Sequence, residues 1–545
     1  MFSTKFDEAT KLWSGVTVPP IYNPNVNCAH VLLSSMKVHG SKFAQINADT
    51  GVKITFAEMR MHTISMAENL QKRGCQPKQV IGIMADHTDH LSSVILASLG
   101  LGCPSNVLGI SVEKSDIIKM FRLTEPSFIF CEVEKYDLMK ECLKELNNDA
   151  PIFTFNGTKG DSESVESLFE VTGTEDIFIP VEVDGINDVA VISSSSGTTG
   201  PFKGVCLPYA ALLWDVQTLD IITSDDVLYT LFTYQWITAY AILFWGVLCG
   251  SLRVISNVPF SPQTQLRLLE DYKITCTMYT PHHIAGFLKS GLLPKTNLPN
   301  FKRILLGAYK VSFLMLDEFR SYLPNTICMV VYGTTEVGYL TVASNGSHSE
   351  GQMVGGFHLK IVDSMGNRCG VGENGEIHCK GPYKFLGYYR NEELSADAID
   401  DEGFFPTGDI AHFDTEGNLH LIDRVKNLIS THSLYSIAPT EIEEILLKNN
   451  DIKDVCVVGI PYEGGDLPAA LVVRADKSQI TAEAVCNIVE DNMSAHYKLS
   501  GGVYFIDSMQ TSFSGKLLRR WAKEIAVDRF YKQKPSIKIA IDICN

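Results

Sequence analysis

Long apolar runs are missing from this sequence. The longest, Ala239 to Cys249 and Val94 to Cys103, fall well short of the ~20 residues needed to cross a bilayer. Positive charge is scarce as well. Lys and Arg total 46 against 63 Asp and Glu, a net charge of −17, which argues against nucleic acid or an anionic membrane as the main partner. An anionic substrate must therefore be met by local cations working against the overall field. Paired cysteines are absent too: the 14 cysteines stand singly, with no C-x-x-C and no His/Cys cluster at zinc-finger spacing. That excludes a disulfide framework and points to buried thiols in a reducing compartment. There is no low-complexity tract and no short internal repeat. The stretch Met1 to Trp13 contains acidic residues and no apolar core, so no secretory signal is expected. The residues Asp542 to Asn545 form no Ser-Lys-Leu-type peroxisomal address. The expectation is a soluble protein, cytoplasmic or peroxisomal, with no transmembrane segment.

What is present is size and alternation. A chain of 545 residues implies two or more domains. Val80 to Met84 reads as a strand and Leu91 to Leu99 as a helix, a rhythm that implies α/β layers around a largely parallel sheet. Asn156 to Gly173 is polar and Gly-rich and reads as a surface connection. It leads to the stretch around which the chain is organised, Ser193 to Gly204, SSSSGTTGPFKG. The apolar run Val189 to Ile192 before it reads as a buried strand. Tyr209 to Leu219 after it has helical spacing, with Leu212, Leu213, Val216 and Leu219 on one face. A Ser, Thr and Gly loop between two such elements offers backbone N–H and hydroxyl donors with little side-chain bulk, the nest a phosphate needs. Lys203 adds a positive charge. The plainer alternative is a flexible linker, but a linker rarely joins a buried strand to a helix. Nor is it a P-loop of the G-x-x-x-x-G-K-[ST] kind, because Gly204 follows Lys203.

The stretch Ser195 to Gly204, SSGTTGPFKG, resembles the phosphate loop of the adenylate-forming superfamily: acyl-CoA synthetases, firefly luciferase, plant coumarate ligases and the adenylation domains of peptide synthetases. The chain looks closest to the insect branch of firefly luciferase and its non-luminous acyl-CoA synthetase relatives. The likeness runs from about residue 10 to about residue 525, with five motifs in family order. It implies an α/β fold: a large N-terminal domain of layered α/β subdomains over 1–425, binding AMP and acyl groups, and a small mobile α+β C-terminal domain over 426–545.

Each further motif has its own chemistry. Cys328 to Val331 is an apolar strand running into Tyr332-Gly333-Thr334-Thr335-Glu336, and ligands in open α/β sheets bind at the carboxyl ends of strands. A carboxylate such as Glu336 suits Mg²⁺ held jointly with nucleotide phosphates. Taken alone, the motif is also compatible with a turn carrying a helix-capping Thr. By resemblance, Thr335 contacts the α-phosphate and Glu336 is the metal ligand. Asp409, ending Gly403-Phe404-Phe405-Pro406-Thr407-Gly408-Asp409, suits the two ribose hydroxyls, though a turn Asp is the commoner fate of this residue. Arg424 in Leu421 to Lys426 resembles the residue that reaches the ribose, and Lys426 the hinge between domains. The strand Arg303 to Ala308 resembles one that passes adenine and the carboxylate, but Tyr309 follows where the family has Pro. Trp236 lies in Gln235-Trp236-Ile237-Thr238, where luciferase-like members carry His-His-Gly-Phe, which weakens a light-emitting reading. From Ala438 the pattern becomes a compact α+β unit, with helices at Pro439 to Leu447 and Ala482 to Met493. It ends in Phe513-Ser514-Gly515-Lys516, where Lys516 resembles the family's catalytic lysine; a solvated surface Lys is its ordinary alternative.

The resemblance thus implies Lys516, Thr335 and Glu336 as catalytic residues. Ser195, Ser196, Gly197, Thr198, Thr199, Gly200 and Lys203 would bind ATP phosphates, with Gly307, Ala308, Tyr332, Gly333, Thr334, Thr335, Asp409, Arg424 and Lys516 around the nucleotide. Trp236, Tyr240, Gly307 and Gly338 would wall the acyl pocket. ATP, Mg²⁺ and coenzyme A follow as cofactors or co-substrates, with a medium- or long-chain fatty acid as the expected acid and a ring-bearing acid as the other possibility. One segment departs from the family: Ile429 to Ser436 lacks the Lys and the Gly-Tyr pair that help build the pantetheine tunnel. Ser there resists backbone conformations that Gly permits. Two other readings therefore stand beside an acyl-CoA synthetase: an adenylating enzyme with a non-CoA acceptor or an oxygenase-like second step, and a nucleotide- or lipid-binding pseudoenzyme.

Overall fold

In the computed structural model, which describes residues 2–195, 203–383, 385–431, 436–462, 464–511 and 517–533, the apolar runs become parallel strands. Ile81–Met84 pairs in parallel with Ser105–Leu108 on one side and Phe128–Glu132 on the other. The helix Leu91–Gly100 that crosses between the first two is buried along its whole length, as a helix with apolar residues on every side must be. Val189–Ser195 joins the same sheet beside Ser105–Leu108 and returns antiparallel as Lys203–Pro208.

A second sheet sets Arg303–Leu306 between Cys276–Tyr279 and Ile327–Thr334, all parallel. Ile327–Thr334 then turns back antiparallel into Gly338–Ala343, with a bulge between Tyr332 and Gly333. Gly333 is required there: a Cβ would lie 2.3 Å from the Gly338 carbonyl oxygen. A third, antiparallel sheet pairs Phe405–Phe413 with Leu419–Arg424 and puts Asp409 opposite Arg424.

The C-terminal part has cores of its own. Ile452–Tyr462 and Gly465–Arg474 form a long hairpin, with Gly502–Phe505 parallel to the second strand. The helices Pro439–Leu446, Ala482–Asn492 and Arg519–Gln533 pack around it, and every residue of those two core clusters lies at or beyond Ile429. The molecule is thus a large α/β N-terminal part and a small α+β C-terminal one. Among the described residues no helix is long and apolar enough to cross a membrane.

The connection expected over Asn156 to Gly173 carries more structure than its composition indicates. It contains the strand Glu163–Ser164 and a short 3₁₀ turn, Val165–Phe169, with Val165 and Leu168 fully buried. Asn69, on the helix Phe56–Lys72, donates to the carbonyls of Leu168 and Glu170 and so satisfies backbone that burial would otherwise leave unpaired.

Candidate active site

The loop expected to bind phosphates lies between the two strands of the hairpin just described. Ser195 closes one strand and pairs in register with Lys203, the first residue of the next. Ser196, Gly197, Thr198, Thr199 and Gly200 lie outside the described residues, as does Lys516. The Lys203 ammonium stands 4.7 Å from the centre of the Tyr388 ring, a cation–π arrangement. The Tyr388 hydroxyl donates to Glu336 Oε1 at 3.2 Å. Burial pushes the Glu336 carboxyl above its usual range, while Tyr388, Lys203 and Arg424 draw it back down. A partly desolvated carboxylate near two cations is suited to a metal ion or a phosphoryl group.

Beside this lies a second cluster. Asp409 accepts from the Tyr332 hydroxyl at 3.0 Å and from Arg424 Nε at 2.6 Å. Cross-strand pairing of Asp409 with Arg424 fixes the second contact, and the bulge at Tyr332 turns the first inward. Residues 77 and 92 positions apart, Tyr332 to Asp409 and Tyr332 to Arg424, thus meet at one place. Thr334 Oγ1 is buried without a hydrogen-bond partner among the described residues, an acceptor and donor left for something else.

Gly307 packs flat on the neighbouring strand, where a Cβ would lie 2.9 Å from the Val331 carbonyl oxygen. Ala308 has φ +80, a strained value for a residue with a side chain. Tyr309, bulkier than the family's residue, turns toward the helix Pro281–Ser290, and its hydroxyl accepts the His282 N–H at 2.8 Å.

A small cleft of about 30 Å³ opens beside Thr335 and Glu336, and Gly338 lines it, whereas Trp236, Tyr240 and Gly307 lie elsewhere. Tyr240 is 1% exposed and its hydroxyl sits 3.3 Å from Ser105 Oγ. It lies one turn into the helix Ile237–Cys249, and that turn carries it into the core. Trp236 precedes that helix and packs edge-on to Phe232, while Gly307 is held against the sheet. Ile237 also lines the cleft. Two residues of the site escaped the sequence reading. Tyr388 had no local signal, because its partners come from two other segments. Asp215 did have one: a lone acid in the apolar helix Tyr209–Leu219, which also lines the cleft.

Among the described residues no cluster of three His, Cys, Asp or Glu side chains could enclose a metal by itself. Glu336 as a single hard carboxylate nevertheless fits Mg²⁺, which commonly takes one or two protein oxygens and completes its shell with phosphates and water. Lys426 is exposed in the turn Val425–Asn427, between the last strand of the large part and the first of the small one. Of the departing loop, Ile429–Ser430 pairs with Ser436–Ile437, and 432–435 lie outside the described residues.

A layered α/β body with a small C-terminal unit, and a strand-end site of Tyr332, Glu336, Asp409, Arg424 and Lys203, define a nucleotide-binding class of enzyme. The chain belongs to the AMP-binding enzyme family, whose model matches residues 33–389, and the AMP-binding enzyme C-terminal domain matches 441–516. It is 28% identical over 503 residues to luciferin 4-monooxygenase of Photinus pyralis, covering 88% of this chain and 90% of that one. It is 28% identical over 524 residues to 4-coumarate–CoA ligase 2 of Nicotiana tabacum, covering 92% and 95%. The luciferase-like enzyme of the nonluminescent mealworm Zophobas morio superposes with a TM-score of 0.71 at 26% identity, over 76% of this chain and 98% of the other.

Proposed function

We propose that this protein activates a carboxylic acid with ATP and passes the acyl group to coenzyme A, with a medium- or long-chain fatty acid as the finer reading. A carboxylate oxygen attacks the α-phosphorus, the bond to the β-phosphate oxygen breaks, and pyrophosphate leaves. The thiolate of coenzyme A then attacks the acyl carbon and AMP leaves. The observation that carries this reading is the meeting of Lys203, Tyr388 and Glu336 with Tyr332, Asp409 and Arg424 beside the apolar cleft.

In this reading Asp409 takes the ribose hydroxyls, held in place by Arg424 and Tyr332, and the loop ending at Lys203 takes the phosphates. Phosphoryl transfer needs alignment and charge stabilisation more than covalent chemistry. Thr335 and Lys203 supply donors where charge spreads, and Lys516 is assigned the moving cation of the small domain. Glu336 would hold Mg²⁺, which when bound neutralises phosphate charge. The domain boundary is placed at 425/426, and Lys426 is the pivot. The altered Ile429 to Ser436 loop favours one second reading, adenylation with an acceptor other than coenzyme A.

The test follows pyrophosphate and acyl-CoA in parallel over fatty and aromatic acids, with Lys516→Ala as control. Both products from wild type and a hundred-fold or greater loss in the variant, on the order expected for removing one preorganised cation, support the reading. Pyrophosphate without thioester selects the second reading, and no pyrophosphate from any acid overturns both.

A further inference from the structure

The cleft carries a charge that adenylation does not use. Asp215 stands on the helix Tyr209–Leu219, one turn on from Ala211 and Leu212, and lines the cleft with them, Thr335 and Glu336. Its Oδ1 accepts the Tyr339 N–H at a long 3.3 Å. No Lys, Arg or His is among the described residues that line the cleft, and Ile237, Val337 and Phe357 are apolar. Burial pushes this carboxyl up to about 7, opposed only by that one backbone donor. The fold gains nothing from the charge. An apolar residue would pack there without desolvation cost.

The surroundings are nonetheless shaped for it. A Cβ on Gly338 would lie 2.5 Å from Asp215 Oδ1 and 2.9 Å from Oδ2, so the neighbouring strand has cleared space for the carboxylate. The Trp214 indole N–H and the Tyr339 hydroxyl are buried with no hydrogen-bond partner among the described residues. Trp214 also lines the cleft, and the Asp215 charge contributes to raising the Tyr339 phenol. A carboxylate with one long hydrogen bond and an indole donor without a partner thus stand on the same cleft wall, among mostly apolar side chains. Features that break a local rule in this way cluster at functional sites.

We propose that Asp215 is a specificity-determining residue of the acid pocket, receiving a hydrogen-bond donor, hydroxyl or protonated amine, carried on the apolar body of the substrate away from its reacting carboxylate. The proposal rests on the adenylation reading and replaces its plain fatty acid with an acid that carries a donor. A plain aliphatic acid would leave the carboxylate with the Tyr339 N–H alone, the kind of under-paired polar group by which enzymes reject analogues most strongly. The substrate's own carboxylate is kept away from Asp215, where it would meet a like charge.

The experiment uses full-length protein with ATP and Mg²⁺ and two acid series: dodecanoic acid with its ω-hydroxy and ω-amino forms, and cinnamic acid with its para-hydroxy and para-amino forms. Values of kcat/KM are measured on wild type, Asp215→Asn and Asp215→Leu. Wild type should favour a donor-bearing member over its parent by roughly ten- to a hundred-fold, the range of one hydrogen bond to a charged group. Asp215→Leu should reverse that order. Asp215→Asn, nearly isosteric, should keep a hydroxyl preference but lose an amine preference, which tells the two donors apart. The same order of preference in all three proteins, or an equal loss for every acid, overturns the proposal. Calorimetric binding of the same acids to the same proteins reads the preference without turnover. Absence of pyrophosphate from every acid therefore counts against adenylation, and unchanged relative affinities count against Asp215.

Discussion

Asp409 shows how much one side chain does in this site. It joins Tyr332 to Arg424, and removing its charge leaves a guanidinium facing a neutral amide. Asp409→Asn should raise the KM for ATP at least tenfold, given that hydrogen bonds to charged groups contribute about 1.5–3 kcal/mol; steady-state kinetics against ATP checks this. Asp215 is expected to show itself in stability as well. Its folded pKa near 7 lies above the usual carboxylate value, so the folded state holds the proton more tightly than the unfolded one. Its contribution is therefore most favourable in acid and is lost as pH rises through about 7. Asp215→Asn should be more stable than wild type near pH 8, by up to about 4 kcal/mol, and gain little near pH 4. Urea unfolding at the two pH values measures it. Equal effects at both would place Asp215 in solvent.

At the scale of elements, two junctions carry strain or charge. Gly338 begins the strand Gly338–Ala343 at φ +95 with the Asp215 carboxylate against it. Gly338→Ala should cost about 1–3 kcal/mol in backbone strain alone and close the cleft, read as a lower urea midpoint together with a raised KM for the acid. In the small part, Arg519 reaches across from the helix Arg519–Gln533 to Glu443 on Pro439–Leu446. Its two terminal nitrogens lie 2.6 Å from Glu443 Oε1 and Oε2. Glu443 Oε1 also accepts the Val457 N–H at 2.7 Å. Glu443→Ala strands a largely buried guanidinium and an unpaired amide, so a loss of about 3–5 kcal/mol is expected. Chemical denaturation of the full chain, followed by protease sensitivity of the C-terminal part, tests it.

At the scale of the molecule, polar contacts join the two parts among the described residues. Lys310 pairs with Glu444 at 2.7 Å, and Thr440 donates from its hydroxyl to the Ile422 carbonyl at 2.7 Å. Both charged side chains keep some contact with water, so the pair contributes no more than about 1 kcal/mol. Glu444→Ala should leave the urea midpoint nearly unchanged while speeding protease cleavage near 425–431, if that pair helps to hold the small part in place. Unchanged cleavage would show that the backbone contacts suffice.

Apolar runs and helical spacing alone marked the strands at Ile81, Val189 and Cys328 and the helices at Leu91 and Tyr209, because parallel strands and their crossovers are buried and must read as apolar runs. The family and the two-part design were legible through resemblance, because motifs such as Ser195 to Gly204 and Tyr332 to Glu336 are continuous in the chain. Tertiary structure alone decided which residues meet. Tyr388 reaches Glu336 across 52 positions and Lys203 across 185, distances at which no spacing rule operates. It placed Tyr240 in the core, because the first turn of its helix leads inward, and put Ile237 and Asp215 on the cleft wall. Sequence pattern records which side of an element faces inward; whether inward means core or ligand depends on what the other elements leave empty.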